Sequence, residues 1–171
     1  MRKNLKFILP LLLTTLLISC EKEIEQKTDR KNYNLEELFH LNNSKITIKQ
    51  GIAGTLTMKE GNCMPMIGID GNCITFPVQR TIRVYEYTTL KEVKGHISSY
   101  DAVNSKLVGK TETDADGFYQ IGLLPGKYSV FIMEKNKYYA NGLDGQGGIN
   151  PISIEKDSVT IGLFSIDYAV Y

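Results

Sequence analysis

The chain has 171 residues, a formal charge of +1 and a pI near 7.6, enough for a leader, a spacer and one domain with its own core. It shows neither a basic stripe nor a basic amphipathic helix, which excludes nucleic acid as a partner class. Its two histidines, His40 and His96, fall in separate polar segments, so no histidine pair is placed by sequence.

Arg2, Lys3 and Lys6 precede an apolar run from Phe7 to Leu17. The run is well short of the roughly 20 residues of a spanning helix, and a basic start before a short apolar stretch is the pattern of a secretory leader. The following Leu17-Ile18-Ser19-Cys20 resembles the lipobox of bacterial lipoproteins, which are cleaved just before a cysteine that carries diacylglycerol. The resemblance implies a leader over residues 1–20, lipidation of Cys20 and membrane attachment through that lipid. A multiply acylated terminus anchors stably where a single chain is marginal. Without Arg2, Lys3 and Lys6, 17 basic residues face 19 acidic ones, a mature charge near −2.

Residues 21–44 read as a polar tether, with one short helix predicted from Asn34 to Leu41 by the spacing of Leu35, Leu38, Phe39 and Leu41. Its start, Glu21-Lys22-Glu23-Ile24-Glu25, is a solvated charge run. It also resembles the surface-export signal of Bacteroidetes lipoproteins, with a lysine among acids behind the lipidated cysteine. That implies an outer-membrane, lipid-anchored protein, facing the periplasm or the cell surface.

The domain is predicted over residues 45–171. Ile46, Ile48, Ile52, Leu56 and Met58 suggest a first strand, with Gly51 and Gly54 marking a bulge or close backbone approach. Residues 82–87 form a second, rich in branched and aromatic side chains. Residues 107–113 and 118–121 read as a hairpin across Asp114-Ala115-Asp116-Gly117, since Asp-Gly is a strong turn signal. Pro125 and Gly126 turn the chain into a strand from Tyr128 to Glu134, and a last strand is expected over residues 159–170. Residues 61–71 and 88–105 are predicted as longer loops, the second with a helical turn. Short strands, regular turns and no long helix argue for an all-β sandwich.

After Cys20, Cys63 and Cys73 are the remaining cysteines. In an oxidising envelope an even pair reads first as a disulfide, worth about 3 kcal/mol for a short loop. Two free or separately buried thiols are the second reading. The third is a copper site from Cys63, Met64 and Met66, because soft sulfur ligands suit the monovalent ion.

The run from Gly109 through Thr111, Thr113, Asp114, Asp116, Gly117, Phe118 and Tyr119, followed by Leu124-Pro125-Gly126-Lys127-Tyr128, resembles the carboxypeptidase regulatory-like, transthyretin-like domains. Gly51-Ile52-Ala53-Gly54-Thr55-Leu56 is similar to their first strand. The resemblance implies a transthyretin-like (prealbumin-like) Greek-key β-sandwich. The segment at residues 61–76 is longer than the usual first hairpin of that family. Within the motif, Asp114 is expected to accept turn amides, Gly117 to take the left-handed conformation, and Phe118 and Tyr128 to enter the core.

Fold does not carry activity. Asp114 and Asp116 lack the ligand series of an EF-hand. The loop at 141–150 offers a cation only Asp144 and backbone carbonyls, and reads as a flexible surface loop. Tyr138 and Tyr139 beside it suit either a sugar- or peptide-stacking face or sandwich packing. The transthyretin-like hydroxyisourate hydrolases need several histidines and a C-terminal tetrapeptide that Asp167-Tyr168-Ala169-Val170-Tyr171 does not match. Intradiol dioxygenases need two histidines and two tyrosines around iron, and no Gly-x-Ser-x-Gly elbow is present. The expectation is a non-catalytic module without cofactor or resident metal, structural or binding an envelope protein or a glycan. A metal-handling lipoprotein or an unrecognised envelope enzyme is the alternative.

Overall fold

The computed structural model describes residues 32–65 and 72–171; the leader, Cys20, the export-signal residues and Met66 lie outside them. The described chain runs α1 (Leu35–Ser44), β1 (Gly51–Glu60), β2 (Ile74–Pro77), β3 (Thr81–Glu86), a 3-10 turn (Leu90–Glu92), β4 (Val93–His96), β5 (Ser98–Val103), β6 (Leu107–Glu112), β7 (Phe118–Ile121), β8 (Gly126–Glu134), β9 (Lys137–Ala140), β10 (Pro151–Ile154) and β11 (Val159–Asp167). No described helix is long and apolar enough to cross a membrane.

The strands form an all-β sandwich. In the smaller sheet β1 is central: β11 pairs parallel along one side, while β7 and β2 share the other, antiparallel. The larger sheet has the order β4-β5-β9-β8-β3-β6, with β10 beside the first half of β8. Ile52, Leu56 and Met58 of β1 face Ile82, Val84, Val130 and Ile132 of the larger sheet, with Tyr119 and Ile166 completing the core. The larger sheet is covered on its other face too. There Tyr85, Tyr100, Phe131, Ala140 and Ile149 form a second cluster, with Tyr85, Tyr100 and Tyr138 edge-on to Phe131 or to one another. Burial on both faces explains the unbroken run Val130-Phe131-Ile132.

Several expectations change. The first strand begins at Gly51 rather than Ile46. The amides of Thr47 and Ile48 donate instead to the Gln120 side chain. Gly54 does mark a close approach: a side-chain carbon there would collide with the backbone of Gly162 on β11. Residues 107–113 and 118–121 do not form a hairpin. β6 pairs with β3 in the larger sheet and β7 with β1 in the smaller one, so the 114–117 turn is a corner between sheets. In β7 the core residue is Tyr119, whose hydroxyl donates to the Gly162 carbonyl at 2.9 Å. Phe118 points the other way, under the Lys45 ammonium, because neighbours in a strand face opposite sides. Tyr128 is half-buried against the core, its hydroxyl donating to the Leu124 carbonyl. Residues 88–105, expected as a loop, hold the 3-10 turn and then the β4–β5 pair.

The last part of the expected tether belongs to the domain. Asn34 caps α1 by accepting the amides of Glu36 and Glu37, and those acids suit the positive helix start. Leu38 and Asn42, four residues apart, share the buried face. The Asn42 amide donates to Thr55 Oγ1 and to the Asp116 carbonyl, both at 2.9 Å, seating the helix on β1 and the corner.

Candidate functional site

At the corner, Asp114 Oδ1 accepts the amides of Asp116 and Phe118 at 2.9 Å, and the Gly117 amide donates to the Asp114 carbonyl. Gly117 has φ +71° and returns its carbonyl to the Leu56 amide. The Lys45 ammonium lies 2.9 Å from Asp114 Oδ2 and 2.7 Å from Asp116 Oδ2. Burial works to lower the Lys45 pKa, but the hydrogen bonds and charges of Asp116 and Asp114 outweigh it and raise it. The carboxylates that resembled a calcium motif thus hold a lysine of the same chain. Pro125 bends the chain directly before β8, which begins at Gly126, φ +158°.

The 141–150 loop is ordered by the same chemistry. Asp144 Oδ1 accepts the amides of Gln146 and Gly148, while Oδ2 accepts the Tyr87 hydroxyl at 2.7 Å and the Lys127 ammonium at 2.9 Å. The Tyr87 hydrogen bond, then that of Lys127, holds Asp144 well below the usual carboxylate range. The Asn150 side chain accepts the Gly142 amide and closes the loop base. Tyr138 and Tyr139 split between faces, Tyr138 into the outer aromatic cluster and Tyr139 into the core.

Cys63 and Cys73 are bonded to each other, which removes both thiolates from the copper reading; Met64 is exposed. Among the described residues no group of three or more His, Cys, Asp or Glu side chains could hold a metal. His40 lies on α1 and the exposed His96 at the end of β4.

A groove of about 650 Å³ lies where the β8–β9 hairpin faces the end of β11. The hairpin turns through Lys135 and Asn136, both at positive φ (50° and 60°), the two-residue geometry matched to strand twist. The other wall is residues 167–171, held beside β1 and the disulfide stem: the amides of Tyr168 and Val170 donate to Lys59 and Gly61, and that of Cys63 to Val170. Glu134, only 5% exposed, is paired with the Arg80 guanidinium and accepts the Tyr168 hydroxyl at 3.3 Å. Asp167 accepts the Ala169 amide on one oxygen and the Tyr171 hydroxyl on the other. Two carboxylates beside a tyrosine-lined groove suggest a glycosidase pair, yet all four oxygens already accept protein hydrogen bonds. Burial, and for Tyr168 the nearby Glu134 charge, raises the pKa of Tyr139 and Tyr168, so both stay neutral hydroxyls.

No protein-family model matches this chain, and no curated protein or solved structure does either. The groove therefore stands on its own geometry. Sequence reasoning missed it because its walls come from segments far apart in the chain. The available signal was Tyr168 and Tyr171, aromatic residues continuing past the end of a strand without a core period.

Proposed function

We propose that this chain is a lipid-anchored envelope protein, attached through Cys20, whose transthyretin-like (carboxypeptidase regulatory-like) sandwich is a non-catalytic binding module. The observation that carries the non-catalytic reading is that every oxygen of the groove's acids already has a protein donor: Glu134 and Asp167 are engaged by Arg80, Tyr168, Tyr171 and the Ala169 amide. A general acid or base must reach the proton it moves, and these carboxylates are committed to protein donors. The transthyretin-like reading draws support from the corner, where Asp114 and Gly117 join the two sheets. The outer-membrane address rests on Leu17-Ile18-Ser19-Cys20 and the charge run behind it. Metabolic labelling with a fatty acid tests the anchor. The parent should incorporate label and fractionate with membranes, and Cys20→Ser should remain an unlabelled, uncleaved precursor. Equal labelling of the two would remove the lipoprotein reading.

A further inference from the structure

We infer that the groove between the β8–β9 hairpin and residues 167–171 is a binding site for a neutral saccharide, an inference that rests on the binding-module reading above and names its ligand class. Its volume, about 650 Å³, falls in the range of small-ligand sites, about 300–1,000 Å³.

Most charges in and behind the walls are matched within the protein. Arg80 pairs with Glu134, Lys137 with Asp101 at 3.0 Å, and Lys59 donates to the Tyr171 hydroxyl at 2.8 Å, which donates in turn to Asp167. Lys135 lies 4.4 Å from the Tyr168 ring centre. Among the described residues, Lys135, over the Tyr168 ring, is the one of these four cations without a carboxylate beside it or one hydroxyl away. An acidic ligand would therefore meet a single unmatched charge and would have to break the other pairs to reach more.

What the groove presents beyond those pairs is aromatic surface and neutral polar groups. Tyr168 and Tyr171 are 42% and 64% exposed, and the Asn141 amide and the hydroxyls of Ser98 and Ser99 line the same space. Rings that accept an apolar C–H face, next to amide and hydroxyl groups that exchange hydrogen bonds, are complementary to a sugar, which carries both kinds of surface. The rings are also held in place: Tyr171 by Asp167 and Lys59, Tyr168 by Glu134 and by its backbone bond to Lys59. Such preorganisation lowers the ordering cost of binding.

Titration calorimetry on the full chain, in a detergent without a sugar headgroup, tests this with neutral gluco-, manno- and xylotetraose, acidic tetragalacturonate and tetraglycine as probes. At least one neutral tetrasaccharide should bind. Replacing both rings (Tyr168→Ala with Tyr171→Ala) should weaken it about tenfold or more, as expected when stacking contacts are removed. The phenylalanine pair (Tyr168→Phe with Tyr171→Phe) should keep most of the affinity and controls for folding. Binding by none of the neutral sugars overturns the inference, as does preference for tetragalacturonate or tetraglycine. Affinity unchanged in the alanine pair would move the site elsewhere and equally overturn it. Chromatography of the recovered sugar separates the two readings: intact sugar supports both, whereas cleavage with binding retained keeps the site and overturns the non-catalytic function.

Discussion

The corner at 114–117 and the loop at 141–150 look alike in sequence, each a turn-forming stretch built on aspartate and glycine. Both close around an aspartate that accepts two backbone amides, and both set a lysine ammonium on the carboxylate. Their connections differ. The corner joins the two sheets, passes a carbonyl to the Asn42 side chain and another to the Leu56 amide, and holds the helix. The loop is tied to the larger sheet: Tyr87 and Lys127 hold Asp144, the amides of Leu90 and Val130 donate to Gly147 and Asn150, that of Ile149 donates to Thr88, and the Ile149 side chain is buried in the outer cluster. A local motif thus shapes a turn in either place, but its weight in stability depends on how many separate elements meet there.

That difference should appear as a graded series. The largest effect is expected for Gly117→Ala. The residue is left-handed, and the added methyl would run into the Leu56 carbonyl, so a loss of roughly 2–4 kcal/mol should appear in urea unfolding. A loss too small to resolve would mean that the corner relaxes freely and is no more structural than the loop.

Next comes Asn42→Ala, which leaves Thr55 Oγ1 and the Asp116 carbonyl without their donor. About 1–3 kcal/mol is expected, moderated because Asn42 Oδ1 is itself buried without a partner and its desolvation cost disappears with it. The drop should be accompanied by faster amide exchange in α1, which would show that the helix is seated by this side chain.

The smallest effect is expected at Asp144. Its pKa is depressed in the folded state by the Tyr87 and Lys127 hydrogen bonds. Its contribution is therefore complete above the unfolded carboxylate value, about 3.9, and is lost as pH falls below it towards the folded value. Asp144→Asn should lower the thermal midpoint at neutral pH by less than either corner variant. The gap between Asp144→Asn and the parent should narrow below about pH 4. A gap that widened in acid would reverse the sign of the linkage and show that Asp144 is not the group being titrated.

The sequence was legible where neighbours decide conformation. Asp114 and Gly117 define their turn through bonds spanning four residues or fewer, and Asn34 starts its helix through amides two and three residues on. The paired cysteines, ten residues apart, close a short loop. Residues 88–105 were harder, because β4 is largely exposed and carries Lys94, Gly95 and His96, leaving almost no alternation to see. The groove was invisible for another reason: Tyr168 and Tyr171 acquire meaning only when folding sets them opposite Glu134 and Asn141.

By itself, then, the sequence determined the all-β class, the turn at 114–117, the cysteine pairing and the position of α1 within a few residues, all features set by backbone dihedrals, side-chain type and hydrogen bonds to near neighbours. Tertiary structure decided which sheet each strand joined. β6 and β7, separated by a single turn, pair with β3 and β1 instead of each other. It also decided that Tyr119 rather than Phe118 enters the core, and that Lys45 and Lys127 sit on the acidic loops. Those outcomes depend on partners tens of residues away, and a one-residue change of strand phase exchanges the buried and exposed faces, so only the packed sandwich selects among them.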